Sequence, residues 1–307
     1  QDYYNGAIDY KEFNRLVGYY ETLNTDWFDV VCQDVFSHNH TLSLSGGSAN
    51  IRYYASLGMS DEKGAIKGES NRRYSTTLNL SANYERFAAR FQLQGNVSKR
   101  DYNPSELGVL DYAYNMNRAI PAFNPDGSRY FYQRTSGSMP VYNFNVLNEM
   151  DNSGDETNGN AINMQAHVSY NVIDDLKLEG TLSYGVSNTN QEIYFTEDSY
   201  YVHQLRAEQT VQNDMCPIGG ELRKSEVRNT NWMARVQANY AKDVGREGKH
   251  NVSGSAGLEL NSQRYDGFNI TRRGYHRDRG KLFSSIPTTY TKYHSQFMIS
   301  PNALGVI

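Results

Sequence analysis

The sequence predicts an all-β protein, more specifically an antiparallel, up-and-down transmembrane β-barrel of which this chain carries part. Apolar and polar residues alternate in eight segments, and the clearest are about twice as long as the 5 to 6 residues typical of soluble strands. The connections between these segments are alternately short and long. No run of 18 or more apolar residues occurs, so a transmembrane helix is excluded. Together these observations favour strands, rather than helices, as the membrane-spanning elements.

The clearest hairpin lies between Tyr74 and Ser98. Its first strand places Leu78 and Leu80 on the same face as Tyr74, and its second strand places Phe87 and Phe91 on one face. The opposite faces carry mainly Ser, Thr, Asn, Gln and Arg. An apolar face that ends in tyrosine, opposite a polar face, is typical of a tilted strand that crosses a bilayer.

The remaining segments repeat this pattern and set the order of the chain. The predicted strands are 38–45, 51–59, 74–84, 87–98, 162–172, 176–186, 232–240 and 252–261. Short connections are predicted at 46–48, 85–86, 173–175 and 242–249, and long ones after Ser60, Ser98, Val186 and Asn261. Outer-membrane barrels have short periplasmic turns and long external loops. The alternation of short and long connections therefore predicts on which side of the membrane each connection lies.

Three regions follow from this pattern. Residues 1–37 are predicted to form a connector or extracellular loop, 38–261 a partial barrel, and 262–307 a truncated extracellular loop. A short helix is predicted at 105–118 within the long connection after Ser98. The sequence does not open with a signal peptide. Because an outer-membrane protein must be exported, we expect the N-terminal part of a longer protein to be missing.

The composition fits a barrel better than a soluble domain. Apolar residues make up 38% of the chain and the mean hydropathy is −0.72, whereas soluble domains are about 45–50% apolar. A barrel in lipid needs apolar residues only at alternate positions, because its lumen can remain polar. The net charge of −4 gives no indication of a nucleic-acid partner.

One contiguous segment, 24–70, and one later strand carry a family resemblance. The segment reads NTDWFDVVCQDVFSHNHTLSLSGGSANIRYYASLGMSDEKGAIKGES. It closely resembles the SusC-like (SusC/RagA) TonB-linked outer-membrane transporters of Bacteroidetes. The matching pieces are Asn24-Thr25-Asp26-Trp27-Phe28, Asn39-His40, Ser45-Gly46-Gly47-Ser48, Tyr53-Tyr54-Ala55-Ser56-Leu57-Gly58, Gly64, Gly68, His250-Asn251-Val252-Ser253 and Ala256-Gly257.

This resemblance implies an importer of large nutrients, either oligosaccharides and other glycans or peptides. It implies a barrel of about 22 strands around an N-terminal plug, energised through TonB and covered by a SusD-like surface lipoprotein. The chain would then carry roughly strands two to nine, in contact with outer-membrane lipid and lipopolysaccharide. The plug, the TonB box and a C-terminal aromatic strand are absent from this sequence, so we expect this stretch alone not to transport.

Cysteine and histidine give weak indications of chemistry. Cys32 and Cys216 match no metal spacing; a disulfide is possible, but two incidental thiols are favoured. His38 and His40 share a strand face and have a geometry that suits Zn²⁺, but no third ligand is evident nearby. The sequence therefore predicts a polar strand end there, with no metal site and no cofactor.

No catalytic motif is evident, so we predict that the chain is not an enzyme. Glu85, Glu179 and Glu259 are predicted to point inward, and two carboxyls about 5 to 9.5 Å apart are what glycoside cleavage requires. Each lies on a different strand among neutral polar residues. A wet lumen wall accounts for them more simply, and the substrate-binding residues are unknown at this stage.

Two groups of loop residues are candidates for recognition. Loop aromatics are able to stack on sugar faces or contact a lid protein, and the alternative for each is packing within the loops. They are Tyr130, Phe131, Tyr132, Tyr194, Phe195, Tyr200 and Tyr201. A basic cluster suits anionic lipopolysaccharide or an acidic partner, although a solvated loop explains it equally well. It comprises Arg272, Arg273, Arg277, Arg279 and Lys281.

Two other classes of function remain open. A secreted β-sandwich enzyme or adhesin would need facing apolar layers and few long loops, and this chain has three long ones. The surroundings of Phe87, Phe91 and Trp232 discriminate between these folds, because in a barrel they face lipid and in a sandwich they lie in a core. Within the membrane class, a porin or an unpartnered siderophore-type receptor is the alternative.

Overall fold

Eight long strands form one antiparallel sheet in the computed structural model, which describes residues 3–134, 142–207, 216, 218–244 and 250–282. The sheet order is β1-β2-β3-β4-β7-β8-β9-β10, so every long strand pairs with its neighbours along the chain. The strands are β1 Ser37–Gly47, β2 Ile51–Lys63, β3 Ser70–Asn83, β4 Phe87–Tyr102, β7 Ser153–Ile173, β8 Leu176–Phe195, β9 Gly220–Val244 and β10 His250–Tyr275. A short hairpin, β5 Tyr132–Arg134 with β6 Tyr142–Phe144, forms a separate two-stranded sheet. All eight predicted strands and their up-and-down order are confirmed.

The register gathers the apolar side chains into a band on one face. One row of paired residues runs Leu44, Ala55, Leu78, Leu93, Met164, Tyr184 and Trp232. These positions do not form a buried core. Leu42 is 73% exposed and Leu258 is 82% exposed. Among the described residues, no second sheet covers this band, as a sandwich would require. Phe87, Phe91 and Trp232 all lie on it.

The strands are longer than predicted, and the extra length lies mainly at one end. Short turns occupy 48–50, 84–86 and 174–175. At the opposite end β2 continues to Lys63, β4 to Tyr102, β8 to Phe195 and β10 to Tyr275, while β7 begins at Ser153 and β9 at Gly220. The predicted long connection after Ser60 is therefore only 64–69, and 262–275 is strand rather than the start of a loop.

The cause of this difference is a change of residue type on the outward face. Beyond the apolar band that face becomes charged, so alternation in hydropathy ends although pairing continues. Asp61 of β2 pairs with Arg72 of β3, where the Nη2 to Oδ2 distance is 2.7 Å, and Lys224 of β9 pairs with Glu192 of β8. Hydropathy therefore marks the apolar band, while the hydrogen-bonded strand extends beyond it.

The helices all lie in the chain before β1 or in the connections at the long-loop end. They are α1 Tyr10–Thr22, α2 Trp27–Val31, α3 Val109–Asn115, α4 Val146–Asp151 and α5 Tyr200–Ala207. The predicted helix at 105–118 is divided, because Gly108 adopts φ +53° between a 3-10 turn and α3. No helix in the described part of the chain is long and apolar enough to cross a membrane.

A small core in these connections is organised by the motif at 24–27. Asp26 caps α2 through the amides of Phe28 and Asp29, and Trp27 behind it is only 3% exposed. The Trp27 Nε1–H donates to the Asn117 carbonyl over 3.2 Å, and Arg118 Nε donates to Asn24 Oδ1 over 2.8 Å. The motif therefore fixes the segment before β1 against the long β4–β7 connection.

Candidate functional site

The polar face of the sheet holds the candidate site. A cavity of about 360 Å³ lies across β4, β7, β8, β9 and β10 and opens on this face. Seven amide side chains line it: Gln92, Gln94, Asn163, Gln165, Asn231, Asn261 and Gln263. Along each strand these amides alternate with apolar residues that face outward, because successive side chains point to opposite faces of a sheet.

The register brings these amides together from distant parts of the sequence. Asn163 of β7 pairs with Gly185 of β8, which in turn pairs with Asn231 of β9. A Cβ at Gly185 would lie 2.5 Å from Asn163 Oδ1 and 2.3 Å from Asn231 Oδ1. The two amide side chains therefore lean over the glycine and occupy the space that another residue would fill.

Two of the three predicted inward glutamates lie on this face, each with its own cation. Glu179 is 2.6 Å from Lys177 Nζ and accepts from Asn239 Nδ2 over 2.8 Å. Lys177 and Asn239 therefore hold Glu179 as an ion-paired, hydrogen-bonded carboxylate in the polar wall. Glu259 is 2.9 Å from Arg235 Nε. Glu85 lies in the β3–β4 turn instead of a strand, so the structure does not assemble a pair of catalytic carboxyls from these residues.

A buried charge network lies at the long-loop end of the same face. Glu221 is 1% exposed and receives 2.7 Å hydrogen bonds from Arg223 Nε and Arg273 Nε. Arg223 also pairs with Glu106 and donates to the Tyr201 hydroxyl over 2.6 Å. The network joins strands β9 and β10 to α5 and to the 3-10 turn at 105–107, and so anchors two connections to the sheet.

The predicted loop aromatics separate into packed and exposed groups. Phe195 is fully buried and stacks on Tyr201 with ring centroids 4.0 Å apart. Tyr132 and Tyr200 both pack against Phe144, at 5.7 and 5.1 Å between centroids. The others are Tyr194, 6.0 Å from the Tyr275 ring, the half-buried Tyr130, and Phe131, which is exposed. The structure therefore assigns most of them contacts within the loops.

The predicted basic cluster does not form one patch. Arg273 points to buried Glu221, while Arg277 donates to the Asp151 carbonyl over 3.3 Å. Lys281 pairs with Glu156 and lies 4.3 Å from the Tyr194 ring centroid. Arg272 is still in β10, and Arg279 ends a 3-10 turn. These cations serve different contacts, so they do not present a common anion-binding surface.

The sequence candidates for a disulfide or a metal site are Cys32 with Cys216 and His38 with His40. Both cysteines are free, and burial raises the pKa of the Cys216 thiol to about 11. The rings of His38 and His40 have centroids 5.1 Å apart at the end of β1. In the described ranges, no group of three or more His, Cys, Asp or Glu side chains has a metal-binding arrangement.

The sequence alone did not indicate the Glu221 network or the buried Glu149 as candidate sites. Glu149 is 3% exposed, and both its carboxylate oxygens accept from the Tyr200 amide, each over 2.8 Å, at the start of α5. Burial raises the pKa of Glu149 above its ordinary value. No local pattern marks either buried site, since Tyr200 is 51 positions from Glu149 and Arg273 is 52 positions from Glu221.

Comparison with known proteins gives one consistent set of relatives. The chain is 23% identical over 208 residues to the TonB-dependent receptor SusC of Bacteroides thetaiotaomicron, covering 59% of this chain and 20% of that protein. It is 22% identical over 238 residues to TonB-dependent receptor P26 of Formosa agariphila, covering 77% of this chain and 22% of that protein. No family model matches the sequence.

Solved structures give the same fold. The structure of the RagAB peptide importer in the closed-closed state matches with a TM-score of 0.65 and 20% identity, over 87% of this chain and 29% of that one. The open-open state of the same importer matches equally well, over 28% of its chain. The predicted resemblance and the partial-barrel fold are confirmed. The chain spans about a fifth of the length of the curated relatives it matches.

Proposed function

We propose that this chain is part of the barrel of a TonB-dependent outer-membrane importer that takes up large nutrients, either glycans or peptides. The observation that carries the proposal is the two-faced sheet: an exposed apolar band on one side and a polar wall with a cavity on the other. Such a wall is the expected arrangement of a lipid-embedded barrel around a wet lumen. The match to SusC and to RagAB supports the same conclusion.

The proposal assigns a place to each part of the chain. The apolar band faces outer-membrane lipid, the short turns face the periplasm, and the connections that carry helices face the outside, next to lipopolysaccharide. Residues 1–37 belong to that external layer, as do the residues that follow β10. Long external loops and short periplasmic turns are the usual arrangement in bacterial barrels.

The proposed partners are TonB and a SusD-like surface lipoprotein. The relatives are named as TonB-dependent receptors, which supports energy coupling through TonB. The resemblance to SusC-like transporters supports a lipoprotein that covers the external mouth. These relatives are receptors and transporters rather than enzymes, and we propose that this chain likewise contributes transport and no catalysis.

The test uses the full-length protein, extracted in mild detergent from outer membranes of its native host. Everything that copurifies is identified by mass spectrometry. We expect a lipid-anchored, mostly helical surface protein in stoichiometric amount. Purification of the barrel without such a partner would favour an unpartnered receptor. Recovery of the protein in the soluble fraction would refute the membrane proposal.

A further inference from the structure

The apolar band on the outward face does not run parallel to the rows of paired residues. On its long-loop side, each strand has a last apolar residue before the outward face turns polar. We call this set of residues the loop edge of the band. In the order β2 to β10 it consists of Met59, Tyr74, Val97, Ile162, Val186, Trp232 and Leu260.

The loop edge moves steadily towards the short turns from β2 to β10. The row of paired residues that starts at Met59 passes through Tyr74 and Val97 and reaches β10 at Asp266. The edge residue of β10 is instead Leu260, six residues nearer the short turn. Six steps separate β2 from β10 in the sheet. The loop edge therefore shifts by one residue per strand on average.

The opposite edge of the band shifts by the same amount. The last apolar outward residues before the short turns form this turn edge: Ile51, Ala82, Phe87, Ile173, Leu176, Tyr240 and Val252. The row of Ile51 reaches β10 at Leu258, and Val252 lies six residues nearer the turn. Two edges made of different residues thus have one slope, so the band is a single oblique strip.

The slope of the strip gives an angle between the strands and its axis. A residue advances about 3.3 Å along a strand and neighbouring strands lie about 4.8 Å apart, so six residues over six strands make an angle of about 35°. Along β4, Val97 lies ten residues from Phe87. That length is about 33 Å, and at this angle it gives a strip about 27 Å high. Transmembrane barrels have strands tilted by about 35–45° and an apolar band about 25 Å tall.

Both edges carry exposed aromatic rings. Tyr74 and Trp232 lie on the loop edge and are 49% and 44% exposed. Phe87 and Tyr240 lie on the turn edge and are 39% and 40% exposed. Girdles of aromatic residues at the level of the lipid headgroups are typical of both interfaces of a membrane barrel.

The charged residues of β9 and β10 also require an oblique boundary. Arg264 shares a row with Thr76, which lies within the band on β3, and it pairs with Asp266 over 2.7 Å. A boundary parallel to the rows would place this ion pair at or below the edge of the hydrocarbon, where charge on the lipid face is unfavourable. An oblique boundary leaves both residues outside.

We infer that the two edges mark where the bilayer boundaries cross this sheet, and that the oblique strip between them is the surface in contact with lipid hydrocarbon. This inference rests on the proposed function and identifies its lipid-contacting residues. Thr76 and Thr230 then lie at different depths although they share one row. Thr76 is two residues inside Tyr74, whereas Thr230 is two residues outside Trp232.

The test measures the depths of these two threonines. They are a matched pair, since they have the same side chain, the same face and the same row. Thr76→Cys and Thr230→Cys are made singly in the full-length protein freed of other reactive cysteines, spin-labelled and placed in phosphatidylcholine vesicles. Collisions with oxygen and with a water-soluble nickel complex report the depth of each label. Four strand spacings inclined by about 35° predict that the Thr76 label lies about 11 Å deeper, with the Thr230 label at the headgroups.

Labels at equal depth, or a deeper label at Thr230, would overturn the inference. A label at Leu258→Cys, within the strip, separates this failure from failure of the proposed function. If the Leu258 label lies in hydrocarbon while the threonine labels share one depth, only the oblique boundary is wrong. If the Leu258 and Thr76 labels are both in water, the membrane proposal fails as well.

A second measurement needs no label. Thr76→Arg should lower the yield of protein assembled in outer membranes, and Thr230→Arg should leave it unchanged, because the cost of a basic residue on the lipid face rises with depth. Equal yields of the two variants would contradict the inference.

Discussion

Glu221 shows how a single residue ties the connections to the sheet. Its carboxylate is 1% exposed and is shared by Arg223 and Arg273, whose Nε atoms both lie 2.7 Å from it. Breaking a buried ion pair leaves the remaining charge without compensation, which is more damaging than losing an exposed pair. The network therefore depends on Glu221 more than on any of its exposed neighbours.

We expect Glu221→Gln to destabilise the region around α5 by about 3–5 kcal/mol, because two arginines lose their shared anion. Hydrogen exchange of the α5 amides, followed by mass spectrometry on the full-length protein in detergent, measures this change. The control is Glu226→Gln on the exposed outward face of the same strand. Equal protection of α5 in the two variants would show that the network does not hold the helix.

Glu149 gives a prediction for pH. Burial raises the pKa of this carboxyl in the folded protein, so folding favours its protonated form. The stabilisation from that proton is fully present below the ordinary glutamate pKa of about 4.3 and is lost as the pH rises through the raised folded pKa. In Glu149→Gln this dependence should disappear. Hydrogen exchange of 196–207 as a function of pH, compared with the original protein, checks it; identical slopes would contradict it.

At the scale of elements, the backbones of β8 and β9 approach each other closely at their long-loop end. Gly220 opens β9, and a Cβ there would lie 1.9 Å from the Phe195 carbonyl oxygen. Because the obstructing atom belongs to the backbone, the strands themselves would have to separate. Gly254 in β10 has no atom within 4 Å of the corresponding position.

We therefore expect Gly220→Ala to cost about 1–3 kcal/mol of stability, the usual cost of overpacking. Gly254→Ala is the matched control and should change stability by less than about 1 kcal/mol, since glycine in a strand interior has no packing advantage. Denaturant unfolding of the full-length protein in detergent compares the two. A loss of stability in both variants would indicate that steric contact at Gly220 is not the cause.

At the scale of the whole molecule, the two faces of the sheet differ in residue type. Leu258 lies in the apolar band and is 82% exposed, whereas Ser255 of the same strand lies on the polar face. An exposed apolar band is unfavourable in water but stable in lipid. Charge should therefore be tolerated on one face only.

We expect Leu258→Arg to reduce stability in a bilayer by about 2–4 kcal/mol, the cost of a basic residue on the lipid face of a barrel. Ser255→Arg on the polar face should have little effect. The measurement is the yield of folded, heat-modifiable protein in outer membranes, compared between the two variants. If both variants assemble equally well, the apolar band does not face lipid.

The sequence by itself determined the eight strands, their order, the apolar band and the resemblance to SusC-like transporters, because alternation and local motifs are written in consecutive residues. It did not determine where the strands end on the long-loop side. There the outward face carries charged pairs such as Asp61 with Arg72, so the alternation in hydropathy stops before the strands do. It also predicted that Glu85 points inward and gathered the arginines of 272–279 into one patch, and both predictions depend on where a strand ends.

Only the tertiary structure decided the candidate site. The amides that line the cavity come from four strands, β4, β7, β9 and β10, and meet through register, and Glu221 meets an arginine 52 positions further along the chain. Arg223 and Glu106 are 117 positions apart. Contacts of this kind arise from the pairing of whole strands and the return of loops, so no local pattern of residues encodes them.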